Sequence, residues 1–316
     1  MLASAVNVLR HKGPVGLASA TLAQARINIS RDIFGKRFIK KRIHDFWMYL
    51  DTNDPGISRT LLLFGSREED HRIILKRVLR PGMRILDIGA NIGYYVLMER
   101  SMIGPDGHII AVEAAPANTD LLNMSLAENN AENVTVRQWA VSSDSGIKKF
   151  HLSELSNLNS FAGAGDAPQR LTGEVIDVET KTVPQIAAEF GVPDLIRMDV
   201  EGHEVEIFNG MLGAIESGEL SPMIIFETHI RRYARDHDFV RPLERMFAAG
   251  YEVRYLASSS ESGTKIINNL GYRGGAPFRT DFKWRSIYEN IAPNHAIGLI
   301  CRTGGARTVL LAKPGT

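Results

Sequence analysis

The sequence predicts an α/β fold in which a doubly wound, mostly parallel sheet carries helices on both faces. Short apolar runs typical of buried strands alternate with helical segments between residues 84 and 258, which is the pattern of strand–helix–strand units. Acidic side chains follow several of these runs, at the edge where the carboxyl ends of parallel strands meet and ligands bind. The composition, 44% hydrophobic and 23% charged, is that of an ordinary globular protein.

The first 60 residues are predicted to be a basic helical extension, and residues 61–316 the main domain. Residues 1–50 have a mostly helical pattern, and residues 50–58 (LDTNDPGIS) are rich in turn-forming residues. Residues 1–43 carry nine Lys/Arg against one acid, although the whole chain has a net charge of only +1. Such a segment serves either as a solvated cover for the domain or as a contact with a membrane surface, a phosphorylated substrate or a second subunit.

The main domain is predicted to begin with a helix and to continue as alternating strands and helices. Ser66 and Glu69 fit a capping box, and Pro81-Gly82 ends this helix. The predicted strands cover residues 84–88, 108–114, 134–142, 194–200, 222–228, 251–257 and 308–314, and the predicted helices end at Met102 or cover residues 116–129, 203–216 and 239–249. Residues 146–183 are predicted to form a hairpin, a polar loop and an extra strand.

The single cysteine and the absence of a long apolar run exclude several classes of protein. No uncharged apolar run approaches the roughly 20 residues that a membrane span requires. Cys301 alone allows neither an internal disulfide nor a cysteine zinc cluster, and its apolar surroundings predict a packed thiol. We therefore expect a reducing, cytoplasmic location. The negative charge of the chain beyond the basic segment argues against a nucleic-acid partner.

The stretch ILDIGANIGYY, residues 85–95, predicts a cofactor site. Asp87 lies at the end of the first strand of the domain, and Gly89, Asn91 and Gly93 follow in the turn. Glycine lets the backbone turn sharply and lets a ligand approach closely, and the amides at a helix N-terminus favour an anion. Glu113 ends the next strand, where a carboxylate can accept both hydroxyls of a ribose. These residues predict a nucleoside-containing cofactor.

The spacing of the glycines favours one cofactor over another. Nicotinamide cofactors require G-x-G-x-x-G for their pyrophosphate, whereas this turn has the spacing D-x-G-x-N-x-G. S-adenosylmethionine has no pyrophosphate, and the spacing favours it. A nicotinamide oxidoreductase and a non-catalytic cofactor-binding protein remain alternatives.

Three stretches resemble the FkbM-type S-adenosylmethionine-dependent methyltransferases: ILDIGANIGYY, IIAVEAAP and DLIRMDVEGHEVEIFNGM. The resemblance runs from about Glu68 to His229. It implies a seven-stranded, Rossmann-like methyltransferase sheet with an antiparallel last hairpin. It further implies O-methylation of a hydroxyl, commonly on sugars or natural products. The residues assigned to the cofactor are Glu68, Asp87, Gly89, Asn91, Gly93, Glu113, Ala140 and Asp199.

The ends of the fourth and fifth predicted strands carry the candidate catalytic residues. Methyl transfer needs an aligned nucleophile, and an alcohol at neutral pH needs a base. Asp199 is the leading candidate for that base, with Glu201 and His229 as second choices. Glu227 is expected to orient a partner or the substrate. No metal is assigned, although an Asp/Glu/His set that holds a divalent ion is the alternative.

Neighbouring acids and histidines receive structural assignments. His203 is predicted to be a surface residue at a helix start, and Glu204 and Glu206 to complement the helix dipole. Trp139 and Ala140 are expected where an adenine would rest, or in the core.

Two loops are secondary candidates for substrate contact. Asn159 and Ser160, with the polar loop 162–168, are candidates for a lid. Residues 269–290 mix cations with aromatics and are candidates for stacking on a sugar or binding phosphate.

The function predicted is an O-methyltransferase acting on a hydroxyl of a sugar, glycolipid or secondary metabolite, and an N- or carboxyl-directed methyltransferase is the alternative. Self-association is left open.

Overall fold

The computed structural model describes residues 2–153, 171–233 and 237–315. The strands are β1 (Phe38–Ile43), β2 (Phe46–Asp51), β3 (Arg84–Ile88), β4 (His108–Val112), β5 (Val134–Arg137), β6 (Ala140–Val141), β7 (Gly146–Ser153), β8 (Leu171–Lys181), β9 (Leu195–Met198), β10 (Met223–Glu227), β11 (Glu252–Ser258), β12 (Phe278–Thr280), β13 (Lys283–Arg285), β14 (Ile287–Ile291) and β15 (Ala306–Ala312). The helices are α1 (Leu2–Asn28), α2 (Ile57–Phe64), α3 (Glu69–Val78), α4 (Tyr94–Ile103), α5 (Pro116–Glu128), α6 (Val183–Phe190), α7 (Glu204–Ser217), α8 (Val240–Ala248), α9 (Glu261–Asn269) and α10 (Pro293–Ile297).

The large sheet confirms the predicted fold class. Its strand order within the described residues is β14-β11-β15-β10-β9-β3-β4-β5. Strands β10, β9, β3, β4 and β5 are parallel, and β15 inserts antiparallel between β10 and β11. All seven predicted strands are present, and β14 adds an eighth at the edge. We did not predict β14 because only Ile287, Tyr288 and Ile291 of its five residues are buried, which is too short an apolar pattern to stand out.

Helices cover both faces of this sheet, so the doubly wound arrangement is confirmed. Helices α6, α7 and α8 contribute to one buried core, and α2, α3, α4 and α5 to the other. Cys301 packs against the first core, and burial raises the pKa of its thiol to about 12, as befits a packed cysteine. Within the described residues, no helix is both long and apolar enough to cross a membrane.

The predicted third strand divides between two sheets. Its first half, β5, lies at the edge of the large sheet, whereas β6 pairs with β8 in a separate three-stranded sheet, β6-β8-β7. Trp139 lies at the break, with its ring centroid 6.3 Å from that of Phe190. One strand was predicted instead of two because the strand-like pattern of residues 134–142 continues past the point at which the chain leaves the large sheet.

The prediction of mostly helical structure for residues 1–50 is wrong for its last part. Residues 38–51 form the antiparallel hairpin β1–β2, in which Met48 and Leu50 are fully buried while Trp47 faces outward. The Tyr49 amide donates to Ser125 Oγ of α5 at 3.0 Å, which fixes the hairpin on the main domain. The run FWMYL, three of whose five residues are aromatic, was the strand signal, since aromatic side chains are enriched in strands. The predicted division between residues 60 and 61 stays a prediction.

The predicted capping box at the start of α3 is also wrong. The helix begins at Glu69, and Glu68 before it has a positive φ of 48°. The first amides of α3 are capped from the β12–β13 hairpin: the Glu69 amide donates to Thr280 Oγ1 at 3.0 Å, and the Glu68 amide donates to the Asp281 carboxylate at 3.2–3.3 Å. A cap that comes from 213 residues away leaves no local sequence signal.

Candidate active site

The glycine turn after β3 brings bare backbone against the end of β9. Gly89, Asn91 and Gly93 have positive φ values of 77°, 50° and 87°, a conformation that favours glycine. A Cβ on Gly89 would lie 2.3 Å from the backbone oxygen of Asp199, and one on Gly93 would lie 2.4 Å from Leu122 Cδ1. Any side chain at Gly89 would therefore push the ends of β3 and β9 apart.

Glu113 lies beside this turn, at the end of β4. Its carboxylate accepts hydrogen bonds from the amides of Asn91 (2.8 Å) and Ala115 (2.9 Å) and from Asn118 Nδ2 (3.2 Å). Burial raises the pKa of Glu113, and these donors oppose the rise. Each carboxylate oxygen has more than one lone pair, so this fixed carboxylate keeps the capacity to accept the two hydroxyls of a ribose.

Asp87 lies in β3, two residues before Gly89. It is wholly buried and pairs with Arg197 on the neighbouring strand, with Arg197 Nη1 3.0 Å from Asp87 Oδ1. Arg197 also donates to the carbonyl of Gly89 at 3.1 Å and to Asp199 Oδ2 at 3.3 Å, and its guanidinium lies 4.1 Å from the ring centroid of Tyr95. Asp87 thus acts on the turn through Arg197, which the sequence analysis missed, and direct contact of Asp87 with a cofactor stays a prediction.

The three predicted catalytic residues lie together at the ends of β9 and β10. His229 Nε2 is 3.7 Å from Asp199 Oδ1 and 3.7 Å from Glu201 Oε2. Glu227 Oε1 lies 3.5 Å from the same nitrogen. Asp199 and Glu201 side chains keep about a fifth of their surface exposed (21% and 19%), so solvent and ligands reach this cluster.

Glu201 occupies a strained position in the turn that leads to α7. Its φ of 52° is in the left-handed region, which is uncommon for a residue with a side chain and typical of functional sites. Gly202 follows at a φ of 105°, and a Cβ there would lie 2.5 Å from Arg232 Cβ. Burial raises the pKa of Glu201 to about 7, against the lowering effect of His229. A carboxyl that titrates near neutral pH is suited to general acid–base chemistry.

Glu204 holds the other side of the His229 ring. His229 Nδ1 donates to Glu204 Oε1 at 2.8 Å, and Tyr233 Oη donates to Glu204 Oε2 at 3.2 Å. Glu204 is wholly buried. Although burial alone lowers the pKa of His229, Glu204 raises it well above the ordinary value. Glu204 is therefore more than the helix-dipole residue that its place in the sequence predicts, because it also orients His229 so that Nε2 faces the carboxylates.

Glu68 joins the cluster from the start of α3. It accepts hydrogen bonds from Tyr95 Oη (2.6 Å) and Arg307 Nη2 (3.1 Å) and pairs with Arg67. Arg307 also pairs with Glu227. Burial raises the pKa of Glu227 to about 8, and Arg307 opposes the rise. Arg67 and Arg307 were not singled out in the sequence, since neither lies at the end of one of the parallel strands.

Among the described residues, two overlapping sets of side chains are close enough to hold a cation. The ligand atoms of Asp199, Glu201 and His229 lie within 4.8 Å of one another, as do those of Glu68, Asp199 and Glu227. In the second set Arg307 already lies against two of the carboxylates. These side chains thus offer ligands for a divalent ion, and the prediction of no metal stays a prediction.

Ala140 and Trp139, the candidates for an adenine contact, both pack against apolar neighbours. Ala140 packs with Ala114, Phe150 and Val178 in a small core beside the end of β4. Trp139 packs toward Phe190, so its side chain belongs to the structural core that we gave as its alternative.

His203 is partly buried, with Nε2 3.0 Å from Ser142 Oγ, so its prediction as a surface residue is wrong. Asn159, Ser160 and the loop 162–168 lie outside the described residues. In the stretch 269–290, the β12–β13 hairpin caps α3, as described above, and contact of this stretch with a substrate stays a prediction.

Two models of known protein families match parts of this chain. The methyltransferase FkbM domain matches residues 87–253, and the protein-L-isoaspartate(D-aspartate) O-methyltransferase matches residues 7–146. Methyltransferase sdnD of Sordaria araneosa is 33% identical over 46% of this chain and 65% of its own length. Hexuronic acid methyltransferase AglP of Haloferax volcanii is 23% identical over 62% of this chain and 71% of its own length.

Among solved structures, methyltransferase FkbM from Methylobacillus flagellatus is similar with a TM-score of 0.37 and 13% identity, over 73% of this chain and 54% of that chain. The chain spans less than two thirds of the length of the first three curated relatives. The FkbM model, in contrast, covers more than half of the 316 residues and includes the glycine turn, Glu113 and the cluster around His229. The chain therefore belongs to the FkbM family of S-adenosylmethionine-dependent methyltransferases, and the alternative of a nicotinamide oxidoreductase is set aside.

Proposed function

We propose that this chain transfers a methyl group from S-adenosylmethionine to a hydroxyl of a sugar, glycolipid or secondary metabolite. The observation that carries the proposal is the cluster of carboxylates around His229 Nε2, next to the glycine turn. A hydroxyl acceptor requires such a base, whereas a neutral amine can attack without one. The relative AglP, which is named for hexuronic acid, supports a sugar-like acceptor. Methylation of a nitrogen or a carboxyl and a non-catalytic role are the alternatives.

The residues around the glycine turn fit the cofactor. Glu113 keeps acceptor capacity for the ribose hydroxyls, and the positive-φ turn from Gly89 to Gly93 leaves its backbone bare. The carboxylates at the ends of β9 and β10 complement a positive charge. When bound, the cofactor supplies an electrophilic methyl group on a cationic sulfur. The substrate and the cytoplasmic location are part of the proposal, as is the absence of a nucleic-acid partner.

In this proposal, different residues at the strand ends position the acceptor hydroxyl and accept its proton. Arg197 holds Asp199 in place, so that its carboxylate accepts the hydrogen bond of the hydroxyl and directs the oxygen. Glu201 receives the proton, and Glu204 keeps the His229 imidazole in place with its Nε2 3.7 Å from Glu201 Oε2. Positioned acid–base groups of this kind typically accelerate a reaction by about 10²–10⁴-fold.

The turnover number of the enzyme is expected to rise with pH through about 7. Glu201 can accept a proton only when ionised, and its raised pKa places that ionisation near 7, so the active form increases as the pH increases. The Glu201→Gln variant should be slower and should lose this rise. The measurement is kcat at saturating substrates from acid to alkaline pH. Glu206→Gln is the matched control. It makes the same chemical change five residues further along the chain, at a carboxylate that lies beside His203 and His237. An unchanged pH profile in Glu201→Gln would remove Glu201 from the proton path.

The proposed function is tested by incubating the full chain with S-adenosylmethionine labelled in its methyl group and a panel of hydroxylated sugars, sugar acids and glycolipids. Label is expected on an oxygen of the acceptor, located by mass spectrometry. Label found only on nitrogen or on a carboxyl oxygen would favour the alternative methyltransferases. A protein that binds S-adenosylhomocysteine but labels nothing in the panel would contradict the proposal. Repeating the assay after chelation of divalent cations distinguishes a side-chain base from a bound metal ion.

A further inference from the structure

The end of α1 and the chain that follows it expose an unusual amount of apolar surface. Leu22, Ile29, Ile33, Phe34 and Phe38 are 63%, 46%, 71%, 67% and 37% exposed. Most of the exposed large apolar side chains in the described residues lie before residue 48. Patches of this kind usually mark an interaction site. We call the surface formed by residues 22–38 the N-terminal face.

Helix geometry puts the exposed and the buried residues on opposite sides of α1. Val15, Leu22 and Ile29 are seven residues apart, a spacing that drifts by only about 20° per step around a helix. Ala20 and Ile27 lie on the other side and are buried. Ile33 and Phe34 continue the exposed side in the π-helical turn Ile29–Ile33 and the residue after it. One side of the helix therefore packs on the domain, and the other has no apolar partner in the described part of the chain.

Cations lie among these apolar groups. Residues 22–38 contain Arg26, Arg31, Lys36 and Arg37, and their one acid is Asp32. Asp32 is bonded to Arg31 at 2.7 Å. Arg37 pairs with Asp51 of β2 at 3.0 Å, with its side chain still 61% exposed. Exposed apolar and aromatic side chains combined with cations are typical of segments that lie in the interface of a membrane.

We propose that the N-terminal face docks on the surface of an anionic lipid bilayer. Ile33, Phe34 and the neighbouring apolar side chains enter the boundary between headgroups and acyl chains, and Arg26 and Lys36 meet the lipid phosphates. A second copy of this chain is a poorer partner, because two such faces would bring cations together with no free acid between them. Lipid phosphate supplies the missing negative charge.

The N-terminal face adjoins the candidate active site. The lining of a groove of about 320 Å³ includes Arg37, Ala115 and Asn118. The Ala115 amide and the Asn118 side chain both donate to Glu113. A bilayer under the face would therefore lie near the edge of the sheet where the cofactor is expected. Docking itself does not depend on the proposed methyl transfer, so it is measured without an activity assay.

The test is sedimentation of the full chain with vesicles of phosphatidylcholine alone and of phosphatidylcholine mixed with phosphatidylglycerol. We expect the protein to sediment with the mixed vesicles and to be released by added salt, since the attraction is screened. The double substitution Ile33→Ser with Phe34→Ser should weaken binding at least about tenfold, because two exposed side chains lose their apolar contact with lipid. Both residues are exposed, so the melting temperature should not change.

The matched control is Ile147→Ser with Val175→Ser, which removes two apolar side chains that are 67% and 43% exposed on β7 and β8. This variant should bind the mixed vesicles like the unmodified chain. The proposal is overturned if the unmodified chain stays in the supernatant, if it binds neutral vesicles equally well, or if both variants bind equally. It is also overturned if the Ile33/Phe34 variant dissociates a dimer in sedimentation equilibrium while lipid binding is unaffected, since the face would then contact a second copy.

Discussion

Replacing Asp199 with asparagine is expected to lower kcat by about 10²-fold or more while leaving the affinity for S-adenosylhomocysteine nearly unchanged. The carboxylate lies 3.7 Å from His229 Nε2 and is held by Arg197, so it is placed to accept the acceptor hydroxyl. Asparagine keeps the size of the side chain but removes the negative charge, and loss of a positioned acid–base or charged group typically costs 10²–10⁴-fold. The measurements are the rate of labelled methyl transfer and the heat of ligand binding.

A carboxylate at the other end of the same strand supplies the control for this substitution. Asp194 precedes β9 and accepts from the Arg84 amide at 2.7 Å, at the opposite edge of the sheet, so Asp194→Asn should keep full turnover. The pair also separates the two predicted roles of Asp199. Unchanged kcat in Asp199→Asn would end its catalytic assignment, and an equal loss of cofactor affinity and turnover would identify it as a cofactor residue.

Replacing Gly89 with alanine is expected to abolish cofactor binding and to lower the melting temperature. The added Cβ would lie 2.3 Å from the Asp199 oxygen, so the ends of β3 and β9 must separate and the turn that holds the cofactor must move. The positive φ of 77° adds about 1–2 kcal/mol of backbone strain, and overpacking of a close contact typically costs a further 1–3 kcal/mol. The measurement is the melting temperature with and without S-adenosylhomocysteine, which raises it only if it binds the folded state.

The Gly82→Ala variant is the control for backbone strain, because it adds a side chain at a positive φ without a close contact. Gly82 has a similar φ of 84°, but a Cβ there would have no neighbour within 4 Å. We expect this variant to melt slightly lower and to keep the full stabilisation by ligand. A Gly89→Ala protein that is stabilised by ligand as much as Gly82→Ala would show that the turn does not hold the cofactor.

The amino-acid sequence alone determined seven of the eight strands described for the large sheet and the location of the site along the chain. Each buried strand of the parallel part is a short apolar run, and burial on both faces makes such runs easy to identify. The turn after β3 was recognisable because Gly89 and Gly93 require positive φ. Asp199, Glu201 and His229 were predicted together, since the ends of neighbouring parallel strands meet at one edge.

The tertiary structure decided which charged groups accompany those residues. Arg307 reaches Glu68 and Glu227 only because β15 inserts next to β10. Glu204 bonds to His229 because α7 follows β9, the strand that pairs with β10. Thr280 and Asp281 cap α3 from more than 200 residues away. Sequence patterns report periodicity and turn chemistry, which act over a few residues, whereas a buried ion pair or a cap is formed between groups that the fold brings together from distant parts of the chain.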